Sequence, residues 1–201
     1  MSITQAVLPG STAVVIGLAA FGVVVLPVTW LVARRLAVAA HQGAHALTGL
    51  LVYRSVRDGI DVESAAGLRG VPVALAGYLG PSGFGLGAAK VIELGYATVV
   101  LWLVLVLAAV LLIGLRRSSG LILAVLAGVI VFGLARYTPV HAQVVTAYAL
   151  AWLLLLSGIR RVIEVGISGI TGVPGILWFP LWLVAALAAA AEGARLLIMQ
   201  A

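Results

Sequence analysis

Two histidines stand four residues apart in an apolar stretch of the chain, His41 and His45, with Gln42 directly after the first. On a helix, residues four apart lie on one face, so two imidazoles at this spacing can bind one zinc ion. The spacing is that of the H-E-x-x-H motif, whose Glu accepts a proton from metal-bound water. Here Gln42 occupies the Glu position. The sequence therefore predicts a zinc site without its usual general base.

The amide of Gln42 has nearly the shape of a carboxylate and can still hydrogen-bond a water molecule. It carries no basic group, so it cannot take a proton from that water and return it to a leaving amine. Loss of a general base typically lowers a rate about 10²- to 10⁴-fold. We therefore expect Gln42 at the catalytic position to leave a site that binds metal and substrate but does not hydrolyse efficiently.

Other roles remain open for two histidines in an apolar helix. They can hydrogen-bond neighbouring helices or line a proton path, and a four-residue spacing can arise by chance. The chain contains three histidines. The third, His141, lies near the start of another apolar segment, where an interfacial position is expected rather than a ligand role.

The composition predicts an integral membrane protein. Of the 201 residues, 64% are hydrophobic and only 9% are charged, which does not provide the charged surface of a water-soluble domain. The sequence contains no cysteine, so histidine and carboxylate are the plausible metal ligands. The net charge of +6 comes from basic residues that lie mostly between apolar segments. That pattern indicates membrane topology rather than nucleic-acid binding.

The pattern of apolar segments predicts an all-α polytopic fold with about six to seven transmembrane helices. The segments cover residues 11–33, 36–52, 71–95, 97–115, 120–135, 140–158 and 176–198. The basic pair Arg34 and Arg35 is expected to separate the first two. His41 would then lie roughly 10 Å along the second helix from Arg35, below the headgroup level.

Two regions of the chain depart from simple apolar helices. Residues 53–64 alternate apolar and charged side chains around an Asp-Gly pair, which predicts a short membrane-associated β-hairpin, with a solvated loop as the alternative. The third segment contains Gly77, Gly80 and Pro81, residues that break or kink a helix. Close helix packing through the small residues Gly83, Gly85 and Gly87 is a compatible interpretation.

The block from His41 to Leu47, the predicted hairpin after it, and the later run Ala-Gly-Tyr-Leu-Gly-Pro at 76–81 resemble the site-2 protease family. These are intramembrane zinc metallopeptidases, and small bacterial members of actinobacterial type are the most similar. The resemblance implies that His41 and His45 are zinc ligands and that Gln42 replaces the catalytic Glu. It also implies one metalloprotease-like domain over residues 1–201, in the bacterial plasma membrane.

One expected part of such a site is missing from the sequence. The family usually supplies a third ligand as an Asp on a later helix, yet no acidic residue occurs between Glu93 and Glu164. Glu164 is our candidate for the third ligand, and its alternative role is an ion pair with Arg160 or Arg161. The other acidic residues that remain as options are Asp58, Asp61, Glu63, Glu93 and Glu192.

The leading functional hypothesis is a zinc endopeptidase that cleaves membrane-embedded or membrane-adjacent segments of protein substrates, here in an inactive form because of Gln42. Its partners would be such a substrate protein and the lipid bilayer, without nucleic acid. Two alternatives remain: a non-catalytic protease relative that binds transmembrane partners, and a small transporter that uses His41 and His45 as a proton or metal relay.

Overall fold

The computed structural model describes residues 7–55, 70–114, 118–164 and 175–199, and within these ranges the chain is helical. The helices are α1 (Gly10–Val25), α2 (Pro27–Tyr53), α3 (Gly70–Glu93), α4 (Ala97–Gly114), α5 (Ser118–Tyr137), α6 (Val140–Glu164) and α7 (Gly175–Ile198). The predicted all-α class is confirmed. No strand occurs in the described ranges, where Tyr53 ends α2; residues 56–64 of the predicted hairpin lie outside them.

The chain contains helices that are long and apolar enough to cross a membrane. Two meet this requirement by themselves, Val140–Val162 within α6 and Phe179–Ile198 within α7. The bent pair of α1 and α2 meets it jointly, whereas the apolar parts of α4 and α5 are shorter than the roughly 20 residues that a span needs. The described residues thus support two or three spans by length and composition, fewer than the six to seven that the sequence predicts.

The boundary between the first two helices lies at Pro27, so the predicted boundary at Arg34 and Arg35 is wrong. Proline lacks an N–H and cannot continue α1, but its fixed φ suits the first position of a new helix. Leu26 before it is extended, with φ −70° and ψ 128°, and the axes of α1 and α2 are bent by 101°. Helix α2 is therefore not a continuation of α1 in the same direction. The depth of His41 in a membrane does not follow from its distance to Arg35 along α2.

A side chain of α6 holds this bend in place. The Arg160 guanidinium donates to the carbonyl oxygens of Val24 and Val25, the latter at 3.1 Å, in the last turn of α1. Its carbon Cζ lies 4.5 Å from the centre of the Trp30 ring of α2, and Trp30 is buried. Arg160 therefore satisfies carbonyls that the end of α1 leaves without helical donors and links three helices.

Helix α3 occupies the centre of the packing and contacts α2, α6 and α7. Small residues bring it close to α6: a Cβ on Gly85 would lie 2.8 Å from the backbone nitrogen of Leu155. The predicted close packing is therefore confirmed for Gly85. It is wrong for Gly83 and Gly87, which are exposed and have no atom within 4 Å of the position of an added Cβ. The predicted break is not found, because α3 is continuous from Gly70 to Glu93 with Pro81 inside it.

Candidate metal centre

His41 and His45 lie side by side on the face of α2 that packs against α3. Their ring centres are 4.5 Å apart, with the rings nearly perpendicular, and their Nε2 atoms are 3.1 Å apart. His45 is buried and His41 is partly buried. The one-turn spacing on α2 therefore brings the two imidazoles together.

The other nitrogen of each ring contacts a backbone carbonyl of α3. Nδ1 of His41 lies 2.6 Å from the carbonyl oxygen of Gly77, and Nδ1 of His45 lies 2.8 Å from that of Val73. A carbonyl oxygen can only accept, so each Nδ1 must carry the hydrogen and donate. In the neutral rings, both Nε2 atoms are then unprotonated and available to bind a cation.

Two unprotonated nitrogens at 3.1 Å cannot hydrogen-bond each other, and their lone pairs repel unless a cation lies between them. Two nitrogens of a tetrahedral zinc site, bound at 2.0–2.1 Å, are about 3.3 Å apart. Metal-binding histidines ordinarily donate their second ring N–H to a carbonyl or carboxylate, as both rings do here. The pair therefore fits zinc, in donor type, spacing and the partners of its Nδ1 atoms.

Glycines on α3 make room for these contacts. A Cβ on Gly77 would fall on the ring of His45, and a Cβ on Gly80 would lie 2.7 Å from Cβ of Ala44. Only residues without side chains allow α3 to approach α2 closely enough for its carbonyls to reach the rings. This explains the Ala-Gly-Tyr-Leu-Gly part of the sequence at 76–80.

A small cavity opens beside His41, with a volume of about 10 Å³, room for one water-sized group. Its lining consists of His41, Tyr78, Pro81, Arg161 and Val162. The Tyr78 ring lies edge-on to His41, with centres 5.9 Å apart. Sequence reasoning assigned no role to Tyr78, and it treated Arg161 as a basic residue between apolar segments and a possible ion-pair partner of Glu164. The position of Tyr78 between Gly77 and Gly80 was the signal available.

No group of three His, Cys, Asp or Glu side chains that could hold a metal occurs in the described part of the chain. Glu93 is paired with Lys90, and Glu192 with Arg195 at 2.6 Å. Glu164 is the last residue of α6, but its side chain is outside the described part, so its ligand role stays a prediction. The remaining candidates, Asp58, Asp61 and Glu63, also lie outside the described residues, while His141 is exposed at the start of α6.

Gln42 follows His41 on α2, and its amide oxygen Oε1 is buried without a hydrogen-bond partner among the described residues. A buried polar atom without a partner typically costs about 1–3 kcal/mol. Gln42 itself does not line the cavity next to His41.

Comparison with known proteins places the chain in a family. A family model described as Peptidase M50B-like matches residues 14–193, which include every helix from α1 to α7 at least in part and both histidines. No curated protein and no solved structure matches the chain. The match covers far more than half of the sequence and agrees with the resemblance to site-2 proteases. The chain is a helical membrane protein that belongs to the Peptidase M50B-like family.

Proposed function

We propose that this chain is an intramembrane zinc endopeptidase of the site-2 type whose hydrolytic step is disabled by Gln42. The observation that carries the proposal is the convergence of two unprotonated Nε2 atoms at 3.1 Å, with both Nδ1 atoms donating to α3 carbonyls. His41 and His45 would hold the metal. The substrates would be membrane-embedded or membrane-adjacent protein segments.

Zinc, when bound, polarises a peptide carbonyl and lowers the pKa of a coordinated water. The chain's own groups have separate tasks. The Gly77 and Val73 carbonyls keep the two imidazoles in the tautomer that exposes Nε2. Arg161, in the wall of the cavity beside His41, would donate to a substrate carbonyl oxygen. Gln42 can hydrogen-bond at the position of the general base but cannot hold a proton there.

The metal part of the proposal is tested by measuring zinc bound to the purified full chain and to His41→Ala. His141→Ala is the matched control, because His141 is exposed and is distant in sequence from the pair. We expect zinc in the parent chain and in the control, and a large loss in His41→Ala. A parent chain without zinc, or an equal loss in both variants, would contradict the proposal.

The role of Gln42 is tested by the substitution Gln42→Glu, which returns a proton acceptor to the motif. Cleavage of a membrane protein substrate is expected to rise by about 10²- to 10⁴-fold over the parent and to disappear with a chelator. If Gln42→Glu binds zinc and substrate without restoring cleavage, the chain is a non-catalytic relative that binds transmembrane partners instead.

A further inference from the structure

Pro81 lies inside α3, four residues after Gly77. In a helix, the N–H of each residue donates to the carbonyl four residues earlier, and proline has no N–H. The Gly77 carbonyl therefore lacks its regular helical donor. The proline ring also crowds this carbonyl and pushes it away from the helix axis.

The Gly77 carbonyl, which Pro81 leaves without a helical donor, accepts from His41 instead. Nδ1 of His41 lies 2.6 Å from the Gly77 oxygen, the shorter of the two histidine contacts with α3. The Val73 oxygen that His45 contacts has the Gly77 N–H four residues later as its regular donor. Pro81 is fully buried and lines the cavity beside His41.

We infer that Pro81 is a positioning residue for His41. By withholding a backbone N–H, it leaves Nδ1 of His41 without a helical competitor for the Gly77 oxygen. The bond that turns Nε2 of His41 toward His45 is therefore shorter than the bond of His45 to Val73, whose oxygen is shared with a helical N–H. Any other residue at 81 supplies an N–H that shares the Gly77 oxygen and weakens the bond to His41. The inference rests on the proposed function only for the role of Nε2, since the bond between Nδ1 and Gly77 exists without a metal.

Two changes at position 81 separate the missing N–H from the shape of the ring. Pro81→Ala introduces an N–H and removes the ring. Replacement of residue 81 by lactic acid, the ester analogue of alanine, removes the ring and introduces no N–H. Pro180→Ala is the matched control, because Pro180 is an exposed proline inside another helix, α7.

The first measurement is the ¹⁵N NMR spectrum of the histidine side chains in the metal-free full chain. With three histidines, His45 and His141 serve as internal references. We expect the parent, the ester variant and Pro180→Ala to show His41 as the Nδ1–H tautomer, with an Nδ1 resonance distinct from that of His45. Pro81→Ala is expected to shift the Nδ1 resonance of His41 toward that of His45, whose carbonyl partner is shared with a helical N–H, and to leave His45 unchanged.

The second measurement is zinc affinity, which changes about 10- to 100-fold when the partner of a ligand histidine is lost. Pro81→Ala is expected to bind zinc more weakly than the parent by less than this factor, because the carbonyl partner is shared and not lost, and the ester variant is expected to bind zinc like the parent. Equal behaviour of the two position-81 variants in the NMR spectrum would overturn the inference. A shift of the His41 resonance in a chain that binds no zinc would uphold the inference and refute only the proposed metal site.

Discussion

Two prolines, the exposed Pro27 and the buried Pro81, have different effects on the backbone around them. Pro27 starts α2 after a 101° change of direction, whereas Pro81 lies within the continuous α3. In both places the carbonyl four residues earlier loses its helical donor and receives a side chain instead. The hydroxyl of Thr29 donates to Val23 at 2.8 Å, and Nδ1 of His41 contacts Gly77 at 2.6 Å.

The two sites differ in the atoms that remain on the donating side chain for a ligand. The Thr29 hydroxyl has a single hydrogen, and it is directed at the carbonyl oxygens of Val23, at 2.8 Å, and Leu26, at 3.2 Å. An imidazole that donates through Nδ1 keeps a second nitrogen for a ligand. The junction at Pro27 is therefore structural, and the site at Pro81 combines a structural bond with the nitrogen that we propose to bind zinc. This distinction predicts where substitutions affect stability and where they affect zinc.

The largest effect is expected from Gly77→Ala, since the added Cβ would fall on the ring of His45. The ring or helix α3 must move, which separates the imidazoles from their carbonyl partners. We expect nearly complete loss of zinc binding and a decrease of about 1–3 kcal/mol in the free energy of unfolding. Zinc content and denaturation in detergent measure the two effects.

The control for this substitution is Gly83→Ala in the same helix. No atom lies within 4 Å of the position that a Cβ on Gly83 would take. Zinc binding and stability should be close to those of the parent chain. If Gly83→Ala lost zinc as strongly as Gly77→Ala, the effect would come from α3 in general and not from the contact with His45.

A smaller effect, on stability rather than on zinc, is expected from Arg160→Met. The substitution removes the donor to Val24 and Val25 and the contact with the Trp30 ring. Hydrogen bonds of charged groups contribute about 1.5–3 kcal/mol, so we expect a loss of about 2 kcal/mol in unfolding measurements. Arg136→Met is the control, because Arg136 is exposed at the end of α5 and should change stability little.

These contacts also show what the sequence could predict and why. The pairing of His41 and His45 depends on the geometry of a single helix, so spacing sufficed. Their carbonyl partners belong to α3 and depend on packing that no local pattern encodes, and Gly77 and Pro81 were interpreted as a break in the helix. Arg160 was treated as a basic residue between apolar segments and a possible ion-pair partner of Glu164. Its partners Val24 and Val25 are more than 130 residues earlier in the sequence, where no local pattern indicates them.

The smallest effect is expected from Thr29→Val, which removes the hydroxyl that donates to Val23 and keeps the shape of the side chain. An unsatisfied carbonyl lowers the free energy of unfolding by about 1 kcal/mol or more. Zinc binding should remain unchanged, because Thr29 does not contact the histidines. The control is Thr146→Val. It removes a hydroxyl that donates at 2.8 Å to the carbonyl oxygen of Ala142, and this oxygen keeps its regular helical donor. Thr29→Val should therefore lower the free energy of unfolding more than Thr146→Val. Equal losses would mean that the Val23 carbonyl does not depend on the Thr29 hydroxyl.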